Sequence, residues 1–182
     1  GQARRADLKT PTAIQNSAIP VLLKRQDAEL LAPTGTGKTA CYLLPLFDQL
    51  LKRGKATALV IVPTRELARQ VAEMGGALAP SPDLRPFVVY GGAQEDRENS
   101  PAETVPPPNA RVAIATPGRL LDLFRGERLD PTHCRFLVPD VGDRLMANEF
   151  REAMQGSPAL PPKARPTHLF SPTGPAAPMK RS

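Results

Sequence analysis

Ala32-Pro33-Thr34-Gly35-Thr36-Gly37-Lys38-Thr39 decides how the rest of this chain is read. It follows A-x-x-x-x-G-K-T, one residue away from the general phosphate-loop pattern G-x-x-x-x-G-K-[ST]. A short, mostly apolar run at 28–31 precedes it, and a helical pattern over 39–51 follows. Strand, loop and helix in that order are the context the pattern requires. Gly35 and Gly37 let the backbone close around phosphate oxygens with N–H groups turned inward. The N-terminus of the following helix adds positive potential. Lys38 offers a charge to the β- and γ-phosphates, and the Thr39 hydroxyl can sit on Mg²⁺. Loop, lysine, threonine and context agree, which a Gly-rich turn that binds nothing would not require.

The chain has 182 residues, enough for one domain with a sizeable core. With 24 Lys plus Arg against 18 Asp plus Glu, its net charge of +6 permits a polyanionic partner without demanding one. The two cysteines, Cys41 and Cys134, form neither zinc spacing nor a disulfide framework. A reducing intracellular compartment, cytoplasm or nucleus, is therefore expected. No apolar run approaches the ~18 residues of a membrane span, and the basic start lacks a secretion signal's apolar core. Proline is frequent, 22 of 182 residues or about 12%, against a usual ~5%. The excess clusters at 80–86, 101–108, 158–166 and 172–178, which read as loops or poorly ordered segments.

Taken in order, 11–24 predicts a short helix or a helix pair broken by Pro20. Residues 27–31 form the first strand and end in the phosphate loop. The apolar run at 56–62 suits a strand buried on both faces. Thr64 is a candidate N-cap for a helix reaching about Leu78. Further strands are expected at 87–90, 111–115 and 135–138, with 168–170 as a sixth. A helix should follow Pro117 through Phe124. This alternation implies an α/β fold with a mostly parallel sheet covered by helices on both faces. Functional loops then gather at the carboxyl ends of the strands.

Several stretches together resemble the first RecA-like domain of DEAD-box RNA helicases. Pro11-Thr12-Ala13-Ile14-Gln15 is similar to the adenine-reading Q motif, and the phosphate loop to motif I. Pro63-Thr64-Arg65-Glu66-Leu67-Ala68 is similar to motif Ia. Gly91-Gly92 and Thr116-Pro117-Gly118-Arg119 resemble the next two RNA-facing motifs. Residues 136–145 stand in the place of motif II and 169–173 in that of motif III. The resemblance covers essentially all of 1–182 as one domain, Q motif to motif III. It implies a RecA-like P-loop fold and ATP with Mg²⁺ as cofactors. It also implies RNA as partner, a monomer, and a second RecA-like domain that is not in this chain. Nucleotide would be held by Gln15, Ala32, Pro33, Thr34, Gly35, Thr36, Gly37, Lys38 and Thr39. Gln15 would bond the adenine edge, to which an amide's donor and acceptor are suited. Thr39 and Asp140 would hold the metal, and Lys38, Asp140 and Asp143 would serve catalysis. Arg65, Gly91, Gly92, Thr116, Gly118 and Arg119 would contact RNA phosphates and sugars, a sequence-tolerant grip. The family's transition-state arginine comes from the second domain, and the aromatic that stacks on adenine lies upstream of residue 1.

Three motifs depart from the family pattern. Motif II reads Asp140-Val141-Gly142-Asp143 instead of Asp-Glu-Ala-Asp. Val141 can neither polarise the attacking water nor accept its proton, the family role of the glutamate. Gly142 loosens the turn, and Pro139 removes a ladder N–H at a strand end. Motif III reads Ser171-Pro172-Thr173 instead of Ser-Ala-Thr. Residues 95–108 are charge-rich and Pro-rich where the family has a helix. Three functions are weighed: an ATP-dependent RNA helicase core, an ATP-gated RNA clamp with weak turnover, and an unrelated P-loop nucleotidase or kinase. The ordered Ia, G-G and T-P-G-R stretches argue against the third. Val141 and Pro172 lean towards the clamp for this chain alone. His133, His168 and Cys41 read as structural.

Overall fold

The computed structural model describes residues 10–24, 28–29, 35–89, 109–116, 133–140 and 168–171. Six strands form one sheet: β1 (Ala28–Glu29), β2 (Thr57–Ile61), β3 (Phe87–Val89), β4 (Val112–Ala115), β5 (Cys134–Pro139) and β6 (His168–Ser171). Their order is β1-β6-β5-β2-β4-β3, and every pairing is parallel. Three helices accompany them: α1 (Ala13–Leu23), α2 (Lys38–Leu51) and α3 (Arg65–Leu78).

The continuous apolar runs form the inner strands because both their faces are buried. In β2 and β4, Leu59, Val60, Ile61, Ala113 and Ile114 are all inaccessible to solvent. Ala58, Val60, Val112, Ile114, Phe136 and Val138 share one face, where they join a cluster with Leu22, Leu43, Leu46, Phe47, Leu50, Val71 and Leu78 from the three helices. Each such large side chain contributes about 1.5–3 kcal/mol by leaving water. Leu59, Ile61, Ala113 and Ala115 are buried on the opposite face. The helix expected from Pro117 through Phe124 lies outside the described residues.

Thr64 caps α3 as expected, its hydroxyl accepting from the Leu67 amide at 3.2 Å. Of the two readings left open for 11–24, the single helix holds: residues 13–23 form one helix running through Pro20. Gln15, Ala18 and Leu22 are buried along one face, whereas Pro20 is exposed on the other. Packing thus continues across the proline, and the carbonyl it leaves unbonded belongs to solvent-exposed Asn16. The Pro-rich stretch 80–86 is a connection as expected, and an ordered one. It holds a 3₁₀ turn, Pro82–Leu84, whose Leu84 is fully buried. Pro86 sits so close to Gly75 of α3 that a Cβ there would lie 2.5 Å from its ring.

The amino ends of the strands are tied by Arg111. Its guanidinium donates to the carbonyls of Ala56 (3.0 Å), Leu50 (2.6 Å) and Arg53 (2.7 Å) and to Asp83 Oδ2 (3.1 Å). Two of those carbonyls belong to the last turn of α2 and the residues after it, where a cation is favoured.

Candidate functional site

The opposite edge of the sheet is a straight row. Ile61 pairs with both Ala115 and Pro139, and Ala115 pairs with Val89. Four strands therefore end together. The residues that follow them, including Thr64, Arg65, Thr116 and Asp140, gather at one edge, as a parallel sheet dictates. Asp140 is fastened there by its amide, which donates to the Ile61 carbonyl at 2.6 Å. Successive residues of a strand bond to alternate neighbours, so the Pro139 nitrogen faces β6 rather than β2. The β2–β5 ladder accordingly runs to Pro139, whereas the β5–β6 pairs are Phe136 with His168 and Leu137 with Leu169.

The phosphate loop enters α2 through two left-handed glycines, Gly35 at φ 77° and Gly37 at φ 87°. Gly37 is the N-cap of α2 and offers no side chain to the first turn. The leading amides of that helix stay available to an anion. A Cβ on Gly37 would also collide with the Gln15 amide nitrogen. That contact exists because α1 is built against the loop. Thr12 and Gln15 form a reciprocal cap at the start of α1, Thr12 N donating to Gln15 Oε1 at 3.0 Å. Gln15 Nε2 then donates to the Gly37 carbonyl at 3.2 Å, and Thr12 Oγ1 to the Thr36 carbonyl at 2.9 Å. Gln15 is thus buried and used on both sides of its amide, with one N–H and one lone pair left over.

Lys38 and Thr39 follow in the first turn of α2, and Asp140 reaches the same place from β5. Burial pushes the Asp140 carboxyl above its usual range, while the Tyr42 hydrogen bond and the Lys38 charge pull it back. Tyr42, fully buried one turn into α2, donates its hydroxyl to Asp140 Oδ2 at 2.9 Å. Burial, then the Asp140 charge, hold the Tyr42 hydroxyl far above its ordinary pKa, so it stays a donor. A hydroxyl and a carboxylate beside a lysine are hard oxygen donors of the kind Mg²⁺ takes alongside substrate phosphates. Among the described residues there is no group of three or more His, Cys, Asp or Glu that could hold a metal ion by itself.

Of the residues singled out from sequence, Gln15, Gly35, Thr36, Gly37, Lys38, Thr39 and Asp140 come together. Arg65, the exposed first residue of α3, and half-buried Thr116 lie on the same edge. Ala32, Pro33, Thr34, Gly91, Gly92, Gly118, Arg119, Val141, Gly142, Asp143 and Pro172 lie outside the described residues. Tyr42 escaped the sequence reading. The only signal was its spacing, four residues after Lys38, which puts it on the loop's side of the helix. Cys41 and Cys134 are core residues, with burial pushing their thiols up to about 11 and about 12. No described helix is long and apolar enough to cross a membrane.

The family model for DEAD/DEAH box helicases matches residues 12–181. RNA helicase CrhR of Synechocystis is 35% identical over 167 residues, 92% of this chain and 33% of that protein. ATP-dependent RNA helicase SrmB of Haemophilus influenzae is 38% identical over 168 residues, 90% of this chain and 37% of that one. Among solved structures, a DEAD box protein from Methanococcus jannaschii superposes with a TM-score of 0.70 at 29% identity, over 96% of this chain and 47% of that one. The RNA helicase Prp28 of Chaetomium thermophilum, bound to ADP, gives 0.70 at 28% identity, over 96% and 42%. The chain spans about a third of the length of these curated relatives. From the phosphate loop to the strand-end residues, it belongs to the DEAD/DEAH box helicase family, as an N-terminal RecA-like domain of the DEAD-box kind.

Proposed function

We propose that this chain is the ATP- and RNA-binding core domain of an ATP-dependent RNA helicase, remodelling RNA duplexes together with a second RecA-like domain. The observation that carries the reading is the convergence of Gln15, Lys38, Thr39 and Asp140 on one glycine-built loop. In it, the amides leading α2 and the Lys38 ammonium bind the β- and γ-phosphates. The spare donor and acceptor of Gln15 take the adenine edge. Thr39 and Asp140 hold Mg²⁺, which when bound neutralises charge on the phosphate oxygens. Arg65 and Thr116, with Gly91, Gly92, Gly118 and Arg119, grip the RNA backbone.

Lys38→Ala tests the nucleotide site. With Mg–ADP at about a hundred times its Kd, the unaltered chain gains about 2.7 kcal/mol, which for this size is roughly a 5–10 °C rise in Tm. Lys38→Ala is expected to remove that rise. An equal rise in both would place the nucleotide elsewhere.

RNA binding is expected to be tolerant of sequence and sensitive to salt. Arg65→Ala and Arg119→Ala should each weaken binding to unrelated single strands by a similar factor. Each should also flatten the log–log salt dependence by about 0.7. Loss confined to one sequence, or affinity indifferent to salt, would contradict a phosphate grip.

A further inference from the structure

The geometry points to Tyr42 as the positioning residue that holds the Asp140 carboxylate in place for a divalent cation at the phosphate loop. This rests on the nucleotide-binding reading above and extends it to a residue outside the expected ligand set. Tyr42 lies three and four residues after Thr39 and Lys38, so its ring stands on the same side of α2 as theirs. The ring is fully buried among apolar neighbours, a place that phenylalanine would fill equally well. A hydroxyl there is costly without a partner. Its partner is Asp140 Oδ2 at 2.9 Å, 98 residues away in sequence. The hydroxyl thus meets, from the first turns of α2, the carboxylate that would ligate the metal.

The bond uses one of about four acceptor sites on the carboxylate and fixes its plane, leaving the others to a cation or its waters. Anchoring from the side chain matters more because Asp140 is held on the strand side by its amide but is followed by Val141 and Gly142. Residues that orient metal ligands in this way are worth about 10–100-fold in metal affinity.

The test is a titration of the full chain with fluorescently labelled ADP, in EDTA and across a Mg²⁺ series, comparing the unaltered chain with Tyr42→Phe. Tyr42→Phe should raise the Mg²⁺ concentration needed for half of the metal-dependent tightening about tenfold. In an Asp140→Asn background it should add little, because the bond's acceptor is already altered. A second measurement leaves position 42 untouched. The chain has two tyrosines, Tyr42 and Tyr90, so Tyr90→Phe isolates one ¹³C-labelled phenol. Its ζ-carbon resonance should shift when Mg²⁺ joins ADP, and not when EDTA replaces the Mg²⁺.

An unchanged Mg²⁺ midpoint with tight nucleotide binding overturns the role of Tyr42 and leaves the nucleotide site standing. So does an equal loss in EDTA and in Mg²⁺, which would mark Tyr42 as packing alone, and so does a static phenol resonance. A tighter Mg²⁺ midpoint in Tyr42→Phe also overturns it, because the bond would then compete with the cation. Nucleotide binding indifferent to Mg²⁺ in the unaltered chain removes the cation site itself. Absence of any nucleotide binding sinks the functional reading and this inference with it.

Discussion

Fused to a competent second RecA-like domain of the same family, this chain carrying Val141→Glu is expected to release phosphate in response to RNA about 10²–10⁴ times faster than the same fusion with Val141 kept. A positioned general base contributes about that much, and valine has neither a lone pair nor a proton to give. The rest of the site is prepared for the exchange. Asp140 is fixed through its amide to Ile61 and through its carboxylate to Tyr42. The neighbouring side chain can therefore change without releasing the metal-side carboxylate. Val141→Glu alone should not rescue the isolated chain, because a transition-state arginine supplied by a second domain is worth a further ~10³–10⁵. The measurement is RNA-stimulated phosphate release from the two fusions at saturating ATP. Equal and robust turnover from both would show that position 141 does not limit the chemistry.

The features legible in the sequence are those whose cause is local. The nearly continuous apolar run at 56–62 suited a strand buried on both faces, and Thr57–Ile61 is one. Thr64 announced a helix because its hydroxyl meets an amide three residues on. The phosphate loop was legible because each of its residue types answers one feature of a phosphate. What stayed hidden is set by partners far along the chain. Whether Pro20 breaks the helix was open on local grounds, and burial of Ala18 and Leu22 on either side of it favours one helix. Pro82 and Pro86 read as loop formers, yet Leu84 between them is core and Pro86 packs on Gly75. Gln15 bonds a carbonyl 22 residues away, and Tyr42 a carboxylate 98 residues away. No periodicity encodes such pairs. Strand order is hidden for the same reason, since β6 enters between β1 and β5 although it is last in sequence.

Arg111→Ala is expected to lower folding stability by about 3–4 kcal/mol and Tm by roughly 10 °C. The sequence presents Arg111 as an ordinary charge before an apolar strand. In the fold its side chain is only 11% exposed and serves three carbonyls and a carboxylate. Alanine removes a charge-assisted donor from all three at the end of α2 and the start of β2; the Leu50 and Arg53 carbonyls keep the amides of Arg53 (3.0 Å) and Ala56 (2.8 Å), while the Ala56 carbonyl loses its side-chain partner, and a hydrogen bond to a charged group is worth about 1.5–3 kcal/mol. Asp83, with 34% of its side chain exposed, recovers much of its loss from water. That carboxyl is held below its usual range, first by Ser81 and then by Arg111. A depressed carboxyl adds stability above its unfolded pKa and loses it as pH falls through the folded value. The Arg111→Ala penalty should accordingly be full at neutral pH and shrink in acid. Arg111→Lys should restore less than half, since an ammonium cannot reproduce the fork that spans Leu50, Arg53, Ala56 and Asp83. Arg111 lies at the edge of the sheet away from the phosphate loop. Mg–ADP affinity of the folded fraction at low temperature should therefore match that of the unaltered chain. A urea melt at 25 °C resolves the question: a loss below about 1 kcal/mol would mean the guanidinium lies on the surface and does not bind these elements together.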